Sequence, residues 1–368
     1  MCSLNEEVLL SKSKALLAQG AQVAGLVAEA GAGVTDVVAA VHRRVVDAPE
    51  TAPAAALRPY RWVRWGLLLL AQWGRRWPQV AATGSRWRAV HAALNGVVGD
   101  HLQVSEHPLA QPMLWLDRQG REWSLAELKS QRVILFVHGL CMSDRAWQQA
   151  TLQSWIEQRE AEGYRVAFLR YNSGRAIADN GRQLSAQLSQ LTPRRLVLVG
   201  HSMGGLLMRA AYAATTAPAW LPALRLAVYL GSPHRGAPLE RLGEQSNRLF
   251  ALTPWSAPLM RLGAVRSQGI QDLRYGCVGS NEHELPGRAH HLLVAAQIRV
   301  AGRAWLPNWL GDGLVPVRSA LAQDLAGAAA LRAPHLQRRL LPGLHHMDLL
   351  HHPQMLACLE EAWQTAQA

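Results

Sequence analysis

The sequence has little of what a disulfide-bonded, zinc-binding or membrane-spanning protein needs. Its 368 residues include only four cysteines, which lie far apart and form no C-x-x-C pair: Cys2, Cys141, Cys277 and Cys358. This spacing suits neither a disulfide framework nor a zinc ribbon. No apolar run reaches the roughly 18 residues that a membrane-spanning helix requires. These absences favour a globular protein of a reducing compartment.

Signals for export and for nucleic-acid binding are also lacking. The first residues, MCSLNEEVLL, carry acids where a secretory signal would carry bases, so we expect a cytoplasmic protein. The formal net charge is +12, and nearly all the bases are arginine. No nucleic-acid-binding motif accompanies this charge, so we expect no nucleic-acid partner.

Residues 1–104 predict an N-terminal helical extension. Apolar residues recur at three- and four-residue steps through residues 5–47, and a second helical stretch ends before Pro78. Residues 58–88 hold seven arginines, five tryptophans and no acid. Two interpretations stay open for this stretch. It binds an anionic membrane surface, which would make the protein peripheral at the inner face of a membrane, or it packs on the rest of the protein.

From residue 105 onward, short apolar runs alternate with helical ones. The strand-like runs are 132–139, 164–171, 194–200, 224–233, 289–298 and 336–343, and the helical ones include 143–163, 177–191 and 203–215. This alternation predicts an α/β domain over 105–368, with a mostly parallel sheet covered by helices on both faces. Residues 234–286 interrupt the pattern and predict a lid or cap insertion, with plain decoration of the fold as the alternative.

A G-x-S-x-G pattern lies where an apolar strand runs straight into a helix. The stretch RRLVLVGHSMGG places Ser202 between Gly200 and Gly204. A sharp strand-to-helix reversal pushes the central side chain out of the sheet edge, and bulk two residues away would collide with it. Ser202 is therefore the candidate nucleophile. The alternative is a serine that caps an ordinary strand–helix turn.

A serine nucleophile needs a base and an acid that orients the base, each on a loop after a later strand. Asp312 lies in GDGLVP, after the strand-like run 289–298, and is the candidate acid; the alternative is a turn aspartate. The base must come from GLHHMDLLHHP, where His346 is preferred and His345 is second. Asp348 is a competing acid, but it follows His346 by only two residues.

The same histidine-rich loop raises the question of a metal. Zinc ligands could come from its side chains, which are His345, His346, Asp348, His351 and His352. However, their spacing is not H-E-x-x-H and contains no helical i, i+4 pair of histidines. We therefore expect no metal and no other cofactor. His290 and His291 fall in a strand and are expected to pack at the core.

Two backbone N–H groups are the candidate donors to a developing oxyanion. One belongs to Met203, directly after the candidate nucleophile. The other belongs to Leu140, in the loop after the strand that ends FVHG, with Cys141 as the second choice. His138 is expected to hold this loop rather than to transfer protons.

Five segments stand in the order found in the lipase and esterase branch of the α/β-hydrolase superfamily: FVHGL, GHSMGG, GSPHRGA, GDGLVP and HHMDLLHHP. Residues 110–368 resemble this branch, and especially bacterial triacylglycerol lipases and the group that deacylates lipid-linked inositol. The resemblance implies an α/β-hydrolase fold in which Ser202 is the nucleophile, Asp312 the acid and His346 the base. GSPHRGA lacks an acid directly after its strand, which agrees with Asp312.

Two functions follow as alternatives. The first is a serine hydrolase that cleaves carboxylic esters of lipids or other acyl groups, with thioesterase, amidase and acyltransferase activities as chemical variants. The second is a catalytically idle, hydrolase-like protein that is docked to a membrane or partner by its basic N-terminal helices. Labelling by a fluorophosphonate would separate them, because only an activated serine reacts.

Overall fold

The computed structural model describes residues 85–215, 218–237, 267–276, 284–298, 311–323 and 330–367, together with Leu69 and Gln72. The helix expected over 5–47, nearly all of the basic stretch 58–88 and most of the insertion 234–286 therefore lie outside the described residues. Within the described ranges, no helix is both long enough and apolar enough to cross a membrane.

A seven-stranded, mostly parallel sheet forms the centre of the fold. Its strands are β1 (Leu114–Leu116), β2 (Arg132–Val137), β3 (Tyr164–Arg170), β4 (Arg195–His201), β5 (Leu224–Leu230), β6 (His290–Gln297) and β7 (Leu336–Pro342). Their spatial order is β1-β3-β2-β4-β5-β6-β7. Only β1 pairs antiparallel, with β3. The predicted α/β class, with a mostly parallel sheet, is thus confirmed.

Eight α-helices lie in the described ranges. They are α1 (Ser85–Val104), α2 (Leu125–Leu128), α3 (Ala150–Ala161), α4 (Ile177–Leu191), α5 (Met203–Tyr212), α6 (Gln268–Tyr275), α7 (Val317–Ala320) and α8 (Pro353–Gln367). The helix α1, which sequence analysis assigned to the N-terminal extension, lies in the same compact unit as the sheet. The boundary at residue 104 remains a prediction.

The central strands are apolar over most of their length because both faces of the sheet are covered. On β2, Leu135 belongs to the same buried cluster as Leu184 of α4 and Leu207 of α5, on one face. The next residue, Phe136, packs with Trp155 of α3 and Trp363 of α8 on the other face. Alternate side chains therefore enter opposite cores, which is why no polar alternation appears in these strands.

The prediction of a single helix over 143–163 is wrong in one respect, because a short 3-10 turn (Asp144–Trp147) precedes α3. Ser143 caps this turn rather than the helix, since its side chain accepts from the N–H of Arg145. The turn is held by tertiary contacts: Asp144 Oδ1 lies 2.7 Å from Nε of Arg170. Trp147 is fully buried, with its ring centroid 5.0 Å from that of Phe136. These contacts override the local helical pattern.

The strand order also fixes where loops meet. From β2 the chain moves one place outward to β3, and it then returns across β2 to β4. The β2–β3 connection and the β3–β4 connection thus run in opposite directions along the sheet, and the direction reverses at β2. In open α/β sheets such a switch point opens a crevice at the carboxyl ends of the strands, and ligands bind there. The loops after β2 and β4 border this crevice.

Candidate active site

Ser202 lies at a strained junction between β4 and α5. Strand β4 ends at His201, α5 begins at Met203, and Ser202 between them has φ 54° and ψ −122°. Non-glycine residues rarely adopt such backbone angles, which cost about 1–3 kcal/mol. The junction is tied to the neighbouring strand, because the Ser202 N–H donates to the Leu230 carbonyl at 2.8 Å.

The two glycines that flank Ser202 are required by space. A Cβ added to Gly204 would lie 2.2 Å from the carbonyl oxygen of Val137, on β2. A Cβ on Gly200 would lie 2.6 Å from Sδ of Met208. Both distances are far shorter than a van der Waals contact, so α5 can approach β2 and the end of β4 this closely only with glycine at these positions.

Asp312 and His346 form a buried pair. Oδ2 of Asp312 accepts from Nδ1 of His346 at 2.6 Å, and both residues are at most 3% exposed. The other carboxylate oxygen, Oδ1, accepts from the backbone N–H groups of Leu314 at 3.0 Å and Val315 at 2.8 Å. Because the carboxylate accepts at Nδ1, that nitrogen carries the proton, and Nε2 keeps its lone pair.

The remaining histidine-rich loop has structural contacts. His345 is exposed, and its N–H donates to Oδ2 of Asp348 at 2.7 Å, so Asp348 caps the 3-10 turn His346–Leu350. The carbonyl of His351 accepts from Thr151 at 2.8 Å, and His352 accepts from the Gln354 N–H at 3.3 Å. The structure thus pairs His346 with Asp312 and not with Asp348.

His201 connects the serine junction to the base loop. Its Nε2 donates to the His346 carbonyl at 3.1 Å, and the two ring centroids are 4.6 Å apart. Burial is the main cause of a pKa well below the usual histidine value, so the ring is neutral. No role for His201 could be predicted from the sequence. It occupies a variable position of the G-x-S-x-G pattern, and its contact is with a residue 145 positions away.

The loop after β2 lies beside the Ser202 junction, since Val137 pairs with Gly200. Cys141, the second candidate oxyanion donor, has its N–H engaged with Oγ of Ser173 at 3.1 Å. For Leu140, no acceptor among the described residues is hydrogen-bonded to the N–H. Met203 is the first residue of α5, where a helix leaves the N–H without an internal partner. Of the two candidates in the β2 loop, the Cys141 N–H is thus occupied and the Leu140 N–H has no acceptor in the described part of the chain.

His138 has the contacts of a residue that holds the β2 loop. Its Nδ1 donates to the Gly139 carbonyl at 2.8 Å, and its ring stacks on Tyr171 at 4.4 Å. The Tyr171 hydroxyl donates back to the His138 carbonyl at 2.9 Å. Burial lowers the pKa of His138 to about 4, which keeps the imidazole neutral.

The histidines of β6 are also structural. Nε2 of His291 donates to the Pro286 carbonyl at 2.9 Å, while His290 stacks on His335 at 4.7 Å. In the part of the chain that the structure describes, no three His, Cys, Asp or Glu side chains are grouped as a metal ion would require.

The seven-stranded sheet, its crossover at β2 and the loops gathered at its carboxyl edge define an α/β-hydrolase fold. Residues 128–254, about a third of the chain, match the family model of the PGAP1-like alpha/beta domain. This match supports the resemblance to the lipase and esterase branch. A search of curated proteins found no significant match.

Solved structures of similar fold include several bacterial enzymes. The lipase BlEst2 of Bacillus licheniformis in its mature form is 22% identical, with a TM-score of 0.44 over 63% of this chain and 91% of that one. The carboxylesterase CesB (YbfK) of Bacillus subtilis is 11% identical, with a TM-score of 0.43 over 74% and 98%. The esterase RhEst1 of Rhodococcus sp. ECU1013 is 16% identical, with a TM-score of 0.40 over 69% and 98%. Likeness at this level carries no conclusion about the reaction.

Proposed function

We propose that the protein is a serine hydrolase that cleaves carboxylic esters with an apolar acyl group. The observation that carries the proposal is the buried Asp312–His346 pair, 2.6 Å between Oδ2 and Nδ1, next to the strained Ser202 junction. A carboxylate that fixes one imidazole nitrogen leaves the other free to accept a serine proton. A merely structural ion pair would not require a serine at a strained backbone position on the adjoining loop.

The reaction would run in two halves through an acyl-enzyme. Ser202 Oγ attacks the ester carbonyl while Nε2 of His346 takes its proton, and the resulting oxyanion accepts from the N–H groups of Leu140 and Met203. Collapse of this intermediate expels the alcohol, which receives the proton from His346. Water then attacks the acyl-enzyme with His346 again as base, and the carboxylic acid leaves as Ser202 regains its proton. Asp312 stabilises the imidazolium at both stages.

An apolar acyl group is supported by the side chains around the two donors. Leu140 and Met203 belong to a buried apolar cluster that also contains Leu206 of α5 and Ile270 of α6. Val97 of α1 belongs to the same cluster. A hydrocarbon chain gains about 0.8 kcal/mol for each methylene group that it buries. The resemblance of residues 110–368 to the lipase and esterase branch is in line with an acyl ester as substrate.

The test combines active-site labelling with a series of chromogenic esters. Full-length protein is treated with a fluorophosphonate, and p-nitrophenyl acetate, butyrate, octanoate and palmitate are assayed in parallel. The wild type should be labelled and should turn over these esters, whereas Ser202→Ala should do neither. Ser232→Ala is the matched control, since Ser232 follows the neighbouring strand β5 but has no part in the proposed chemistry.

Two results would contradict the proposal at different levels. A wild type that is neither labelled nor active would favour the catalytically idle binding protein. Ser202-dependent turnover with kcat/KM highest for acetate would keep the hydrolase and remove the apolar acyl group. The proposal expects kcat/KM to rise with chain length beyond acetate.

A further inference from the structure

Helix α1 packs directly on the loop that carries the proposed oxyanion donor. The contact is made at Gly96, where the helix has no side chain. A Cβ added there would lie 2.3 Å from Sγ of Cys141 and 2.9 Å from its Cα and N. The backbones of α1 and of this loop therefore touch, and any larger residue at Gly96 must move Cys141.

Cys141 is held from two further sides. Its backbone is left-handed, with φ 59°, and its N–H donates to Oγ of Ser173 at 3.1 Å. Its thiol lies 3.8 Å from the Ala93 carbonyl of α1. Burial raises the pKa of this thiol to about 12, so it remains protonated and acts as a weak donor. The rigid peptide unit between Leu140 and Cys141 fixes the position of the Leu140 Cα, to which the Leu140 N–H is attached.

Helix α1 is itself fixed near Gly96 by two other segments. The Gly99 carbonyl accepts from Nδ2 of Asn172 at 2.8 Å, in the loop after β3. The Gly96 carbonyl accepts from Oγ of Ser267 at 2.7 Å, just before α6. Both carbonyls lie beside Val98, whose φ of −130° and ψ of 19° interrupt the helix. The helix surface that meets Cys141 is therefore anchored on both sides of this interruption.

We infer that Gly96 and Ser173 are positioning residues for the Leu140 N–H, so that helix α1, which precedes the first strand of the sheet, sets the geometry of the oxyanion site. This inference rests on the proposed function. Gly96 limits how far the loop extends toward α1, and Ser173 occupies the N–H of Cys141. The loop is thereby left with the Leu140 N–H as its free donor toward Ser202.

A displaced oxyanion donor has a recognisable kinetic effect. Donor distances of 2.7–3.1 Å are needed at the oxyanion, and loss of one donor typically lowers kcat by about 10²–10³-fold. We expect Gly96→Ala to lower kcat about 10- to 100-fold with KM changed by less than about threefold. Alanine favours a helix over glycine by about 1 kcal/mol, so weaker helix formation cannot explain such a loss.

The experiment uses full-length wild type, Gly96→Ala and Ser173→Ala, with Gly287→Ala as control. Among the described residues, a Cβ on Gly287 would meet only Pro334, at the ordinary contact distance of 3.9 Å. The readouts are kcat and KM for a chromogenic ester, the melting temperature, and the inhibition constant of a boronic acid. A boronate bound to serine mimics the tetrahedral oxyanion, so its affinity should fall in parallel with kcat/KM. A purely structural defect would lower the melting temperature without this parallel.

Ser173→Ala keeps the test decisive if Gly96→Ala does not fold, because it removes a single hydrogen bond. It should lower kcat and boronate affinity together, while Gly287→Ala behaves as wild type. If the wild type shows Ser202-dependent turnover but both variants keep its kcat and boronate affinity, the positioning role is wrong and the proposed function stands. If the wild type shows no Ser202-dependent turnover, both are wrong.

Discussion

The sharpest prediction concerns Asp312→Asn, since the surrounding hydrogen bonds dictate how an amide would sit. Oδ1 of Asp312 accepts two backbone N–H groups, at 3.0 and 2.8 Å. An asparagine that keeps its oxygen there presents its NH₂ group to Nδ1 of His346. The opposite orientation would point NH₂ at two backbone donors and leave them unpaired, which costs about 1–3 kcal/mol for each buried group. The amide is therefore locked with NH₂ toward the imidazole.

This orientation forces the wrong histidine tautomer. Facing a donor, Nδ1 must give up its proton and accept, so Nε2 becomes protonated and cannot take the proton of Ser202. The same change in another triad lowers kcat about 10⁴-fold, and we expect a loss of that order here. The assay is kcat for a chromogenic ester, with ¹⁵N chemical shifts of His346 as a direct report of the tautomer.

Asp348→Asn is the matched control. The amide oxygen of an asparagine can still accept from the His345 N–H, so the 3-10 turn after His345 should persist and kcat should stay within about threefold of wild type. An Asp312→Asn protein that kept a tenth or more of wild-type kcat would refute the reasoning. So would a larger loss in Asp348→Asn than in Asp312→Asn.

Three further predictions follow. His346→Ala should lower kcat about as much as Ser202→Ala, on the order of 10⁶-fold. His345→Ala should keep most of the activity. Comparable losses of kcat in the two histidine variants would contradict this prediction. Burial lowers the pKa of His138 to about 4, below the ordinary 6.5. The contribution of the neutral, buried His138 to the free energy of unfolding is thus fully present above pH 6.5. It is lost as the pH falls toward 4, by up to about 3 kcal/mol. Urea unfolding at about pH 7.5 and pH 4.5 should therefore show a smaller pH dependence in His138→Gln, and an equal dependence would contradict the assignment. Through the stretch 58–88, the full-length protein should co-sediment more strongly with anionic vesicles than with neutral ones. High salt should weaken this binding, and so should changing Arg61, Arg64 and Arg75 together to Gln. If co-sedimentation is equal under all these conditions, the stretch has only a packing role.

Local sequence patterns predicted the regular elements well. Helix α4 was expected over 177–191 and is found at Ile177–Leu191, because its apolar residues recur with helical spacing on one face. The stretch 143–163 was less predictable. Its split into a turn and a helix depends on the contact of Asp144 with Arg170, a partner 26 positions away. No local pattern could indicate that contact.

In the candidate site, too, residues marked by a local pattern could be predicted, and residues that act through distant contacts could not. Ser202 is marked by glycines whose spacing is local, and the Asp312 and His346 loops follow from the order of strands. His201 and Ser173 carry no such signal, because a histidine or serine at a loop start is common and their roles arise from contacts across the sheet. The sequence likewise offered Leu140 and Cys141 as alternatives. Only the hydrogen bond from Cys141 to Ser173 separates them.

The strand order has a consequence for the time at which the site can form. The loops that meet at the carboxyl edge of the sheet follow β2, β4, β6 and β7. The contact between His201 and His346 spans 145 residues of the chain. At a synthesis rate of about 5–20 residues per second, the base would follow the serine by on the order of ten seconds. Under the proposed function, the serine has no base during that interval and is inert. Reactivity thus marks the docking of the last strand, and in refolding experiments fluorophosphonate labelling should lag behind the return of helical structure.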